Sequence, residues 1–454
     1  MTIQEIHTEP RDAGEIDVID ADRWPDVARR PNRAVRAAIA RRLVRAAVDR
    51  LALRVELHPT GEMWGAGGPD SPMLRLVRPD AVFDRLGDSG LIGFGEAYMA
   101  GDLVAGHRTD SPAAASQQLL EALTLMSEHL EDLFPRPLHR LRRLAVRRAP
   151  ATEANTPTGA RQNIARHYDL SNDLFASFLD ASMTYSSALF DSALFDTARF
   201  DGAPGAMPHA PTWADLEAAQ HRKIDRLLDA CGVGEGTSLL EIGTGWGELS
   251  LRAAQRGARV RTITLSHEQQ GLARRRIAAA GLGDRVSVEL CDYRSVSGRY
   301  DAVVSVEMVE AVGEAYWPAY FDTLRRVVAD DGVIGLQAIT LPHDRLLQTR
   351  QNHTFVHKYI FPGSLVPSVE ALGAAASEAG LTVTDDLAFG LHYAETLRLW
   401  RQRFEERVDD LDRFGDDVVF RRMWTFYLAY AEAGFRSRYL DVHQLVMRPR
   451  PIAR

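Results

Sequence analysis

The sequence predicts an α/β protein: a doubly wound, Rossmann-like parallel sheet preceded by a smaller α+β domain. Three observations predict it. From Thr212 onward, short apolar runs alternate with stretches of helical period, the order that builds a parallel sheet. Three glycines follow one of those runs directly, in Gly243-Thr244-Gly245-Trp246-Gly247, where a strand must turn into a helix. A stretch of small, polar and proline residues, 147–162, separates this part from an N-terminal segment with its own apolar period.

Residues 1–30 are polar and aperiodic and read as a weakly ordered lead-in. From Arg33 to Leu53, Val35, Ile39, Leu43, Val44, Val48 and Leu51 recur at helical spacing with arginines between them, which predicts an amphipathic helix. Strand-like pieces follow at 53–58 and 73–77. Residues 91–102 are glycine-rich, and 112–144 are again helical, so 31–146 reads as one α+β domain. After the linker, the second domain spans 163–454. Thr212 with Asp215 three residues on resembles a capping box and starts a helix to about Leu228. Strands are expected at 238–242, 260–264, 286–290, 302–306 and 333–339, with helices at 248–255 and 267–280. The end, 395–439, reads as helices with a break near Gly415, a helical exit from the sheet.

Of 454 residues 45% are hydrophobic and 26% charged, enough apolar material for real cores, which excludes a disordered, collagenous or disulfide-stapled chain. Two cysteines, Cys231 and Cys291, and a start without an apolar signal core fit a reducing, cytoplasmic setting. No run reaches the roughly 18 apolar residues of a spanning helix, so the expectation is a soluble or peripheral protein. A net charge of −8 argues against a dedicated nucleic-acid binder. Of 54 basic residues only Lys223 and Lys358 are lysine, a bias that fits arginine-rich codon usage.

The glycine turn has the spacing Gly-x-Gly-x-Gly, with Glu241 at the strand's end, which differs from the dinucleotide pattern. No acid closes the second strand (Thr262-Ile263-Thr264-Leu265-Ser266) to take a ribose diol, which weighs against NAD. Asp292-Tyr293 after the third strand offers a carboxylate for an exocyclic amine and a ring beside it. Together these suggest S-adenosylmethionine. Read singly, each residue has a plainer role: Asp292 caps a turn, and Gln269 is solvated on a helix.

Several further motifs occur in order: His167-Tyr168-Asp169-Leu170-Ser171-Asn172, then Met183-Thr184-Tyr185-Ser186-Ser187-Ala188, and Thr264-Leu265-Ser266-x-x-Gln269. Ser305-Val306-Glu307-Met308-Val309-Glu310-Ala311-Val312-Gly313, Lys358-Tyr359-Ile360-Phe361-Pro362-Gly363 and Tyr393-Ala394-Glu395-Thr396-Leu397 complete the set. Over 160–405 the chain resembles the cyclopropane-fatty-acyl-phospholipid synthase family, and Ile92–Tyr98 resembles the N-terminal domain of its phospholipid-acting members. The resemblance implies a class I methyltransferase domain, with Tyr185, Ser186, Glu241, Gly243, Gly245, Gly247, Thr264, Leu265, Gln269, Asp292 and Tyr293 around S-adenosylmethionine. It further implies that a cis double bond of an acyl chain takes the methyl and that the resulting carbocation loses a proton. Glu310 and Tyr393 match positions that hold a bicarbonate ion, taken as the base.

The chain departs from that pattern at the anion site. Ser187 stands where most cyclopropane-forming members carry Cys, Gln337 where they carry His, and Ala311 where a His usually follows the glutamate. Ser and Gln still donate hydrogen bonds to an anion. Ser187 resembles the branch making 10-methylene acyl chains on the way to 10-methyl (tuberculostearic) acids, which works with a separate flavin-dependent reductase. The catalytic set expected is therefore Glu310, Tyr393, Ser187 and Gln337, giving a methylene on an oleoyl phospholipid, with cyclopropane closure as the alternative.

The arginine-rich segments 33–50 and 139–148 read as solvated helix faces or as contacts to anionic headgroups, placing the protein peripherally on the inner face of the membrane. Residues 202–211 read as a lid or a tolerated insertion. His353 and His357 sit four apart with no third ligand in the sequence nearby, so no metal site is expected. Lys358, inside a motif, is a candidate for a role needing an ammonium. Two rival readings are a non-catalytic lipid-binding partner and a methyltransferase for a small soluble metabolite. A homo-oligomer remains open.

Overall fold

The computed structural model describes residues 19–129, 150, 153, 155–156, 159–160, 163, 171–191, 210–411, 414 and 416–451. The basic segment 139–148, the motif residues 167–170, most of 202–211 and Gly415 lie outside them.

The N-terminal part begins with α1 (Pro25–Ala28) and α2 (Ala34–Val48), then β1 (Arg54–Leu57), β2 (Glu62–Trp64) and β3 (Met73–Leu76). Helices α3 (Pro79–Ser89) and α4 (Leu91–Met99), strand β4 (Leu103–Ala105) and α5 (Pro112–Glu128) complete it. The strands form a sheet of order β2-β1-β3-β4, in which β1 and β3 are parallel and both edge pairs antiparallel. The glycine-rich stretch 91–102 turned out to be mostly helix. Gly93 and Gly95 sit on α4 because a Cβ there would strike the Arg85 backbone or the Phe355 ring, so glycine buys close packing.

The second part starts at α6 (Asn172–Phe178) and α7 (Trp213–Ala230), whose capping box joins Thr212 and Asp215 as the spacing predicts. Then follow β5 (Ser238–Ile242), α8 (Glu248–Gln255), β6 (Arg259–Thr264), α9 (His267–Ala279), β7 (Val286–Leu290) and β8 (Tyr300–Val306). Next come α10 (Trp317–Val327), β9 (Val328–Thr340), α11 (His343–Thr349), α12 (Phe355–Tyr359) and α13 (Val369–Glu378). The chain ends on β10 (Leu381–Ala388), α14 (Gly390–Arg407), α15 (Val418–Arg436) and β11 (Asp441–Pro449).

These strands form one seven-stranded sheet, order β10-β11-β9-β8-β5-β6-β7. The five strands from β9 to β7 pair in parallel, and β11 and β10 add antiparallel at one edge. The helices expected over 395–439 are present as α14 and α15, parted between Arg407 and Val418, but the C-terminal end is not helical alone: β10 before them and β11 after them belong to the sheet. Their sequences hide this: β10 reads Leu-Thr-Val-Thr-Asp-Asp-Leu-Ala and is largely exposed, the signature of an edge. Strand order reverses between β5 and β8, the place where ligands of doubly wound sheets bind.

Leu240, Val303, Val304 and Leu336 of the central strands are fully buried between helices on both faces. A larger apolar cluster, including Leu103, Leu119, Phe175, Phe178, Trp400, Trp424 and Phe435, joins the N-terminal helices to α14 and α15. Polar clasps cross the same boundary: Arg401 donates to Ser116 Oγ (2.8 Å) and Trp24 Nε1 to Asp417 (3.0 Å). Lys358 Nζ contacts Glu96 Oε1 (2.5 Å) and Asp26 Oδ2 (2.7 Å). The ammonium expected to matter in the Lys358 motif thus ties α12 to α4 and α1.

Candidate active site

A cavity of about 180 Å³ opens at the C-terminal ends of β5, β6, β7 and β8. Its floor is the glycine turn. Gly243, Gly245 and Gly247 have φ of 99°, 52° and 93°, a left-handed region that side chains enter only at a cost, and the bare backbone leaves room for a ligand. Ten of the eleven residues expected around the cofactor line this cavity: Tyr185, Ser186, Glu241, Gly243, Gly245, Thr264, Leu265, Gln269, Asp292 and Tyr293. Gly247 does not line it. It caps α8, where a Cβ would stand 3.1 Å from that of Ala273.

Each side chain is held by local chemistry. Glu241 is buried at the end of β5 and accepts a hydrogen bond from Ser250 Oγ; burial pushes its carboxyl up to about 7. Thr264 donates to Gln269 Oε1 (2.7 Å), and Ser266 caps α9 through the Gln269 N–H, so Gln269 is fixed inward rather than solvated. Asp292 accepts from the Arg294 backbone N–H (3.0 Å), Nε (2.8 Å) and Nη2 (2.6 Å), and so caps a turn while it lines the cavity. Tyr293 stands edge-on to Tyr320, with Arg294 over its face. The Tyr185 hydroxyl meets that of Tyr427 at 2.8 Å, its ring among Phe175, Phe178 and Trp400.

Residues 147–162 read as a linker, yet Glu153 and Asn155 are buried and Asn155 lines the cavity. Asn155 Nδ2 donates to the carbonyls of Val312 and Gly363, and Arg294 Nη1 donates to the Asn155 carbonyl. Glu153 also answers the histidine pair. Its Oε2 lies 3.1 Å from His353 Nε2, a carboxylate partner that the sequence reading missed. His357 caps its own helix through Nδ1, and among the described residues no group of three or more His, Cys, Asp or Glu is placed to hold a metal.

The four residues expected around the anion do not all converge. Gln337 and Tyr393 do through their side chains, and Ser187 through its backbone N–H while its hydroxyl turns to the Ala188 carbonyl, on a side chain that sequence reasoning passed over: Glu307. Glu310 lies three residues away, accepts from the Ile339 N–H and has its Oε2 buried without a hydrogen-bond partner. Burial and the nearby Glu307 push Glu310 up to about 8. Lys223 was also missed. Its buried ammonium donates to Ser186 Oγ (2.6 Å), lines the cavity and is pushed down to about 8 by burial, with Glu307 opposing the shift. The signals were present: two glutamates at the end of one strand, and one of only two lysines.

Residues 155–445 match the family described as mycolic acid cyclopropane synthetase. The chain belongs to that family. It is 51% identical over 430 residues (94% of this chain, 95% of the relative) to tuberculostearic acid methyltransferase UfaA1 of Mycobacterium tuberculosis. It is 30% identical to the cyclopropane-fatty-acyl-phospholipid synthase of Escherichia coli, over 82% of this chain and 87% of that one. The solved mycolic acid cyclopropane synthase CmaA1, complexed with SAH and CTAB, superposes with a TM-score of 0.54 at 29% identity, over 63% of this chain and 97% of that one. The cyclopropane synthetase family thus accounts for the sheet order and the glycine turn, and the protein is an S-adenosylmethionine-dependent methyltransferase. Among the described residues no helix is long and apolar enough to cross a membrane.

Proposed function

We propose that the enzyme methylates the cis double bond of an oleoyl-type phospholipid chain and releases a 10-methylene acyl chain. The observation that carries this reading is the similarity to tuberculostearic acid methyltransferase, which extends over both halves of the chain. The site's chemistry fits. S-adenosylmethionine, when bound, supplies an electrophilic methyl on a sulfonium.

The residues lining the floor fit that cofactor: a backbone cradle at Gly243 and Gly245, a carboxylate at Asp292 and a ring at Tyr293. Gln269, Thr264 and Leu265 close one side, and Ser186 and Tyr185 the other. The cradle is the deciding fit, because a Cβ at φ of 99° or 52° would strain the turn.

An alkene needs no base to become a nucleophile, but the cation it forms on the acyl chain must be shielded from water and then lose one proton. Phe175, Phe178, Trp246 and Trp400 supply an aromatic surround near Tyr185, and Glu307 at the end of β8 supplies a carboxylate to the cavity. The roles expected of Tyr393, Ser187 and Gln337 as anion holders keep their place in this reading.

A phospholipid substrate implies contact with a bilayer. Val35 and Ile39, one turn apart on α2, are 76% and 53% exposed beside Arg36 and Arg42, a pairing of apolar and basic groups suited to an anionic membrane surface. The inner face of the cell membrane is therefore the proposed location. A separate flavin-dependent reductase would convert the methylene to a methyl branch. Incubation with S-adenosylmethionine and dioleoyl phospholipid, followed by mass spectrometry and NMR of the released esters, tests the reading. Both candidate products are heavier than the oleoyl ester by one CH2 and share one mass, so NMR decides: exocyclic vinylidene protons are expected, and a cyclopropane signal as the main product overturns the reading.

A further inference from the structure

Three donors from three distant parts of the chain meet on one carboxylate. Glu307 Oε1 accepts from the Ser187 backbone N–H (2.9 Å) and from Gln337 Nε2 (2.8 Å). Its Oε2 accepts from the Tyr393 hydroxyl (3.0 Å). Tyr393 is buried and its phenol is held well above its ordinary range, so it stays a donor. Gln337 is itself fixed, its Oε1 accepting from Gln444 Nε2 (2.9 Å), which leaves its amide nitrogen to face Glu307.

The backbone is arranged for this carboxylate at a cost. Glu307 has φ of 48°, a left-handed conformation that a side-chain-bearing residue adopts only under strain. That conformation follows directly on β8, and the Glu307 N–H is bonded to the Gln337 carbonyl (2.8 Å). The side chain lines the same cavity as the glycine turn. The three donors, Ser187, Gln337 and Tyr393, are among the four residues that the resemblance placed around a bound bicarbonate, the fourth being Glu310.

We propose that the Glu307 carboxylate is the built-in base that takes the proton from the methylated acyl chain, in place of a bicarbonate ion. The proposal rests on the methyl-to-alkene reading above. In the step, the π pair of the double bond forms the new C–C bond as the methyl–sulfur bond breaks, leaving a cation on the chain. A hydride shift moves the cation to the methyl-bearing carbon. A C–H pair of the new methyl then becomes the exocyclic double bond, and its proton passes to Glu307 Oε2. A carboxylate has about four lone-pair sites, and the three named donors leave one on Oε2. The proton returns to water after the product leaves.

Glu310 is a poorer base in this site. Burial raises both carboxyls: Glu310, with a single backbone donor and the Glu307 charge beside it, is pushed up to about 8, whereas at Glu307 the Lys223 ammonium and three donors oppose the rise. Of the two neighbouring acids, Glu307 is therefore the better host for a negative charge, the kind of asymmetry an acid–base pair uses.

Glu307→Gly is the informative variant. Glycine takes φ of 48° without strain, and the change leaves the Ser187 N–H, the Gln337 amide and the Tyr393 hydroxyl facing an anion-sized space. With S-adenosylhomocysteine present, 13C-bicarbonate titration followed by NMR is expected to show no binding to the wild type and binding to Glu307→Gly. Turnover of the wild type on oleoyl phospholipid is expected to stay within about twofold when dissolved carbonate is removed, and Glu307→Gln to lose about 100-fold or more in kcat with unchanged S-adenosylmethionine affinity. Added bicarbonate restores part of the Glu307→Gly activity. Bicarbonate binding to the wild type, a tenfold loss on carbonate removal, or an active Glu307→Gln overturns the proposal. The binding measurement needs no turnover, so it separates failure of this inference from failure of the substrate reading.

Discussion

The two walls of the cavity are built in opposite ways. The floor of the cofactor wall is consecutive sequence: a strand, a turn of three glycines and a helix start, all within 238–248. The acid wall is assembled from side chains far apart in the chain; the Ser187–Glu307 bond spans 120 residues and the Tyr393–Glu307 bond 86. Local sequence determines the first, whereas only the packed fold determines the second. Damage to the first should therefore abolish binding, and damage to the second should spare binding and slow the chemistry.

The largest effect is expected from Gly243→Val. A β-branched residue at φ of 99° strains the turn and fills the cradle, so calorimetry should show S-adenosylmethionine binding lost and activity down by two orders of magnitude or more. Tyr393→Phe tests the other wall. It removes one hydrogen bond to a charged group, worth about 1.5–3 kcal/mol, so kcat should fall roughly 10- to 100-fold while cofactor affinity stays put. A parallel loss of affinity would show that the two walls are not separable.

Lys223→Met is expected to act through pH. The groups facing Glu307 are Lys223, Glu310, the Ser187 N–H, the Gln337 amide and the Tyr393 phenol; the ammonium and the three donors favour the ionised carboxylate, and of these the ammonium acts most strongly. Without it the Glu307 pKa rises further, so the acid limb of the kcat profile should move to higher pH. The smallest effect concerns stability alone. Burial raises the Glu241 pKa to about 7, so this group's penalty on the folded state grows as pH climbs from its ordinary range through 7. Glu241→Gln removes that penalty, and its melting temperature relative to wild type should rise between pH 5 and pH 8 by a few degrees.

The contrast also explains what could be read from the sequence. The five parallel strands, the capping box at Thr212 and ten of eleven cavity-lining cofactor candidates were legible because period, caps and glycine spacing are local signals. Strand β10 was not, since an exposed edge carries no apolar pattern, and α4 was obscured by glycines chosen for close packing against Arg85 and Phe355. Glu307 was quoted within a motif and passed over for Glu310. Nothing local distinguishes two acids three residues apart; the difference lies in donors supplied by β9, α14 and the segment before α7.

The scarcity of lysine has a practical consequence. A protease that cleaves only after lysine has two sites in 454 residues, and both are closed in the folded chain: Lys223 is buried in α7, and Lys358 is held between Glu96 and Asp26. Cleavage after Lys358 would report release of the N-terminal helices from α12, and cleavage after Lys223 would report opening of the cavity wall. Two bands on a gel would thus time the loosening of the two halves independently, without a label.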